Sequence, residues 1–155
     1  MKKLFYSLLV GGIVLSACSD KDEDPEIKQH ESAKITVTVS GDFKKAEGDY
    51  FEVDVIATST NGGNIPWKVN DETLNNQNVK LNSDDFDGGA TFVIESKAPF
   101  VVAGVNLGGF AKGAPYKVSY KIEIDGKVEN SDENVEIKEQ DEIFAESFTY
   151  AADQN

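Results

Sequence analysis

Apart from the initial Met1, three residues in this 155-residue chain occur once each: Cys18, His30 and Trp67. Each could do chemistry. A cysteine thiolate is a nucleophile that takes an acyl or alkyl group. A histidine could serve as base for a neighbouring nucleophile, but only if a fixed backbone held it within hydrogen-bond reach. His30 stands in a polar stretch with no apolar period, so a solvated position in a linker is expected, and no catalytic role. No second cysteine or histidine exists to build the usual zinc ligand set. The chain has 28 acidic residues, so close carboxylate pairs arise by chance and do not point to glycoside hydrolysis. Together these features lead to the expectation of a non-enzyme with no cofactor and no catalytic residue.

Three further groups bear on binding. Asp84, Asp85 and Asp87, followed by Gly88 and Gly89, offer oxygen ligands of the kind calcium takes. The EF-hand alternation fails, because Phe86 falls where a ligand is needed. An acidic turn is the expected reading, with calcium as its alternative. Trp67 follows Pro66 and a polar loop. On a rim it would stack on a sugar ring; in the interior it would plug a core. Gly104, Gly108, Gly109 and Gly113 surround Phe110 and Lys112. No helix follows to present its N-terminus to a phosphate, so a glycine-rich loop with an apolar tip at Phe110 is expected. Trp67 and Phe110 are the two candidate ligand-binding residues.

The segment around Cys18 says more. Lys2 and Lys3 precede a mostly apolar run from Leu4 to Leu15, and small residues lead into the cysteine. The run is too short to span a bilayer, which takes about 20 apolar residues. It has the three zones of a secretory leader. Leu15, Ser16, Ala17 and Cys18 resemble the bacterial lipoprotein signal. The resemblance implies cleavage before Cys18, a diacylglyceryl thioether on its sulfur and an acylated new amino terminus. Several chains hold firmly where one would not, at about 0.8 kcal/mol per buried methylene. The next residues, Ser19-Asp20-Lys21-Asp22-Glu23-Asp24, are similar to the surface-export signal of Bacteroidota lipoproteins. That likeness implies display outside the outer membrane. The same charges would in any case extend a linker.

The net charge is −13 and all 15 basic residues are lysines. Nucleic-acid binding depends on neutralising phosphates with cations, so it is not expected here. Docking on anionic lipid is excluded for the same reason, leaving the lipid on Cys18 as the route to a membrane. Lacking arginine, the chain also lacks the residue best suited to bidentate anion recognition.

The elements that must position these residues are strands. Residues 1–17 are expected to be leader and 18–32 a tether, with one domain over 33–155. Ile35, Val37 and Val39 share a face; so do Phe51, Val53, Val55 and Ala57. Short strands are expected at 66–69 and 79–81. Ala90, Phe92 and Ile94 alternate with polar neighbours. Residues 100–107 read as almost continuously apolar, as if buried on both faces. Tyr116 to Ile124 is the clearest strand, and Asp125-Gly126 after it is a strong hairpin signal. The return strand starts at Lys127 and extends past an irregular 130–133 to Ile137. A last strand carries Phe144, Phe148 and Tyr150 on one side. No window after the leader shows a helical period. About seven to nine short strands point to an all-β, antiparallel β-sandwich. The stretch Pro115-Tyr116-Lys117-Val118-Ser119-Tyr120 resembles the tyrosine-bearing strands of immunoglobulin and fibronectin type III domains, which implies that kind of sandwich. The expected function is to bind an extracellular glycan or protein at the cell surface. The alternative is a structural or accessory subunit of a cell-envelope complex.

Overall fold

The computed structural model describes residues 27–75, 77–138 and 143–153. The leader, Cys18 and the acidic run after it lie outside the described residues. Ten strands form: β1 (Ala33–Val39), β2 (Tyr50–Thr58), β3 (Trp67–Val69), β4 (Glu72–Leu74), β5 (Val79–Leu81), β6 (Ala90–Ser96), β7 (Val102–Phe110), β8 (Tyr116–Ile124), β9 (Lys127–Ile137) and β10 (Phe144–Ala151). A single helical turn, α1 (Ser83–Phe86), enters β6. No helix among the described residues is long and apolar enough to cross a membrane.

The strands make two antiparallel sheets. One has the order β4-β3-β6-β1-β8-β9, the other β10-β7-β2-β5. The chain passes from one sheet to the other after nearly every strand or hairpin, so the inner faces are built from distant segments. Alternation decides which side chains meet. In β1, β2 and β8 every second residue is buried, as a period of two requires. Ile35, Val37, Phe51, Val55, Ile94, Val105 and Ile122 interleave between the sheets. The fold is an all-β sandwich.

Local chemistry fixes the connections. Asp125 and Gly126 have φ of 51° and 76°, the backbone a type I′ hairpin turn needs. Asn70 has φ of 50° and opens the turn from β3 to β4. In β9 the pairing with β8 shifts register between Val118 and Tyr120. Asn134 takes a φ of 56° there, so the expected irregularity is a β-bulge.

Four expectations need correction. β4 makes a tenth strand, and its three residues carry too little alternation to be read. β7 is not buried on both faces. Ala103, Val105 and Leu107 point inward, while Asn106 and Phe110 are exposed. Phe110 therefore ends a paired strand instead of tipping a loop. Finally, the domain starts before residue 33. His30 exchanges backbone hydrogen bonds of 2.8 and 3.0 Å with Phe100. Its Nδ1 lies 2.7 Å from Asp125 Oδ2, and Asp125 Oδ1 accepts from Glu31 N at 2.7 Å and Ser32 N at 3.0 Å. His30 is a structural residue that clamps the incoming chain to the β8–β9 turn.

Candidate functional site

The outer face of the four-stranded sheet gathers most of what could hold a ligand. Alternation sends Gly104, Asn106, Gly108 and Phe110 of β7 outward. Their partners on β2 are Ile56, Asp54, Glu52 and Tyr50; three of them face Thr149, Ser147 and Ala145 on β10, which starts below Phe110. The centre row has no side chain at two of its positions, and the β10 row is small. The β2 row is taller. A trough results, with a depression of about 270 Å³ lined by Glu52, Asp54, Asn106, Gly108 and Ser147.

Tyr50 and Phe110 close one end of it. Their rings stack with centroids 5.4 Å apart and planes within 16°. They stay 37% and 38% exposed, so the pair is an apolar plate open to solvent. The Tyr50 hydroxyl donates to Glu52. That bond, with partial burial and the Glu52 charge, raises the phenol above its ordinary 10.0, so it keeps its proton. Ser147 donates to Asn106 Oδ1 at 2.7 Å, which leaves the N–H₂ of that amide as donor. Asp54 sits 3.1 Å from Lys80 Nζ.

The aromatic end is held from below. Asp49, just before Tyr50, is 4% exposed. Its carboxylate accepts from Lys44 N at 2.9 Å, Lys112 N at 2.9 Å and Gly113 N at 3.1 Å. Those bonds tie the start of β2 to the chain leaving β7. The buried Tyr116 hydroxyl donates to the Tyr50 carbonyl at 2.7 Å. Gly109 must be glycine, since a Cβ there would lie 2.6 Å from Tyr116 Oη and 2.9 Å from Tyr50 O. The outward glycines differ. A Cβ on Gly108 would find its nearest neighbour, Glu52 Oε1, at 3.6 Å, and one on Gly104 would meet Ile56 Cγ2 at 3.4 Å.

Sequence reasoning named Phe110 beside Trp67, but the aromatic ring next to Phe110 is Tyr50. Trp67 is fully buried in the other sheet, so it presents no face to a sugar. Its ring fills the core, and Nε1 has no hydrogen-bond partner among the described residues. Tyr50, Glu52, Asn106, Gly108 and Ser147 were missed. The available signal was the period of two through 102–110, hidden because glycine and valine both read as non-polar.

The acidic turn is held by its own hydrogen bonds and ion pairs. Asp85 Oδ2 accepts from Asn82 N, and Asn82 Oδ1 accepts from Asp84 N, a reciprocal cap on α1. Asp84 pairs with Lys45, while Asp87 accepts from Lys45 N at 3.0 Å. The three carboxylates are spent on different partners. No group of three or more His, Cys, Asp or Glu is placed to share a metal among the described residues. A larger depression, about 350 Å³, lies beside the start of β1. It is lined by Lys34, Glu95, Lys97 and Glu123 and has no aromatic surface.

No family model matches the sequence, and no curated protein matches it. Solved structures do. A DUF4425 family protein from Bacteroides ovatus has a TM-score of 0.55 at 18% identity, over 78% of this chain and 94% of its own. A DUF4425 domain of unknown function from Bacteroides vulgatus gives 0.53 at 15%, over 81% and 97%. The calcium-bound form of a protein from Parabacteroides distasonis gives 0.59 at 15%, over 83% and 98%. The likeness is one of fold. It covers nearly all of each neighbour's solved chain.

Proposed function

We propose that this protein is a lipid-anchored lipoprotein of the outer-membrane surface, and that its sandwich binds an extracellular neutral saccharide without catalysis. The leader and Cys18 support the anchor. The Bacteroides and Parabacteroides sources of the three neighbours agree with the Bacteroidota-like acidic run after Cys18.

The observation that carries the binding reading is glycine at positions 104 and 108. Glycine weakens a strand interior and marks a place where a ligand or another backbone approaches closely. Neither position forces glycine on the fold. Bare backbone beside an exposed aromatic plate, with Glu52, Asn106 and Ser147 along the floor, matches a flat ring with hydroxyl groups at its edge. The ring face meets Tyr50 and Phe110; the hydroxyls donate to Glu52 and Asp54 and accept from Asn106. The carboxylates repel sulfated and uronic sugars, which makes the ligand neutral.

Calorimetry with maltotetraose, cellotetraose, chitotetraose and mannotetraose tests the site. One of them should bind, and Phe110→Ala should weaken that binding at least tenfold. Failure of all four, or binding indifferent to Phe110→Ala, overturns the saccharide reading. Labelled palmitate incorporated at Cys18, and lost in Cys18→Ser, tests the anchor; an unlabelled protein overturns it.

A further inference from the structure

Each sheet leaves two strands at its edges, and four edges differ in how well they resist another chain. β4 and β5 are three residues long. β9 is long, but its register shifts twice against β8, and it carries Glu129, Asp132, Glu133 and Glu136. Short length, bulges and charge are the usual protections of an edge. β10 is neither short nor bulged, and a single charge protects it. It runs eight residues in unbroken register with β7, holds no lysine or proline, and has one acid, Glu146. Its other side has no strand partner among the described residues.

The surface beside that edge has a definite chemistry. Val135, Ile137, Ile143 and Phe144 line a groove of about 290 Å³ between β9 and β10, and Ile143 is 77% exposed. Further along, Tyr120 packs on Phe148 with centroids 5.7 Å apart. The Tyr120 hydroxyl donates to Asp132 and the Tyr150 hydroxyl to Asn130, each at 2.7 Å. The Tyr120–Phe148 and Tyr150–Asn130 contacts join β10 to the opposite sheet. Glu129 and Glu136 pair with Lys127 and Lys138. No lysine pairs with Asp132 or Glu146 among the described residues.

We propose that β10 is a docking edge for an extended, cationic segment of another protein, in which apolar residues and lysine or arginine take turns at every second position, so that both lie on the face turned toward β9. The segment would add a fifth strand to the four-stranded sheet. Its backbone would satisfy the open side of β10, its apolar residues would enter the groove at Val135 and Phe144, and its cations would meet Asp132 and Glu146. A second copy of this chain fits less well, because it brings the same acids and a net charge of −13. The proposal gives the accessory-subunit expectation a surface. It stands apart from the saccharide reading, which uses the outer face of the same sheet.

The probe is the eight-residue peptide Val-Ser-Lys-Ser-Val-Ser-Lys-Ser, which sets valine and lysine in turn on one face, titrated into the full-length protein and followed by amide NMR. Four controls accompany it: a Val₂Lys₂Ser₄ block peptide, the same probe with glutamate for lysine, and two N-methylated forms blocking either the serine amides or the valine and lysine amides. Strand addition uses only one of those amide sets. The expected result is binding at least tenfold tighter than the block peptide, no binding of the glutamate peptide, and a tenfold loss in one N-methylated form alone. Amide shifts and slowed exchange should fall on alternate residues of 144–151. Equal binding of the alternating and block peptides would mean charge adsorption and overturn the proposal. So would shifts confined to the trough, no binding at all, or dimerisation through β10 without peptide.

Discussion

Asp49 is the residue on which the aromatic end of the trough rests. Its carboxylate is the acceptor for three backbone donors, and no cation stands among its hydrogen-bond partners. Removing it leaves those N–H groups unsatisfied in a buried place, where each such loss costs about 1–3 kcal/mol. Asp49→Ala should destabilise the domain by about 3 kcal/mol in urea unfolding. Asp49→Asn should lose less, since Oδ1 can keep the bonds from Lys112 N and Gly113 N while the N–H₂ faces the Lys44 N–H alone. Gly108 makes the opposite case. A β-branched residue favours the strand, and there is room for its Cβ. Gly108→Val should therefore hold or raise the melting temperature while filling the trough and abolishing saccharide binding. A fall of several degrees in melting temperature, with binding intact, would show that the fold and not a ligand requires this glycine.

At the scale of elements, the entry of the chain is a clamp. Burial disfavours the charged form of Asp125, but the bond to His30 and those from the Ser32 and Glu31 N–H groups outweigh it and hold the carboxyl below its ordinary 3.8. A carboxyl depressed in the folded state adds stability above the ordinary value, and that stability fades as pH falls through the lower, folded value. Asp125→Asn keeps a side chain that tolerates the positive φ of the turn. It should lower stability at pH 7 and flatten the fall in stability below about pH 3.8, read from urea midpoints at a series of pH values. Hydrogen exchange at Glu31 and Ser32 should quicken in the same variant.

The elements also show where reading a sequence succeeds. β1, β2 and β8 are legible because each alternates sharply over seven or nine residues. The β8–β9 turn is legible because Asp-Gly has the backbone freedom a tight hairpin requires. β4 is illegible because three residues show no period. β7 misleads because glycine on its outer face is scored with the apolar residues of its inner face.

At the scale of the whole molecule, three tyrosines couple the sandwich to alkaline pH. Burial is the first cause of a raised phenol at Tyr116, Tyr120 and Tyr150; neighbouring carboxylates, Asp49, Asp132 and Glu129 among them, add to it. Tyr150 is pushed from 10.0 up to about 12. A raised folded value means the stability is whole below the unfolded value and is lost as pH rises through the folded one. The protein should be steady to about pH 10 and unfold between about pH 10 and 12. Absorbance at the tyrosinate band should rise together with loss of the β-sheet dichroism. Tyr150→Phe should move that transition upward, and ionisation of all tyrosines near pH 10 with the sheet intact would contradict it.

The sequence by itself determined the strand pattern, the acidic character and the resemblance of its first residues to a lipoprotein leader. These rest on local features: side-chain alternation, charge, and a motif read in one stretch. The tertiary structure was needed to show that Trp67 is core, that His30 belongs to the domain, and that Asp85 caps α1 while Asp84 and Asp87 engage Lys45. It alone brought Tyr50 beside Phe110, because antiparallel pairing joins residues sixty apart that no local pattern links. A residue's type says what it could do; which face of which sheet it occupies, and what stands opposite, says what it is free to do.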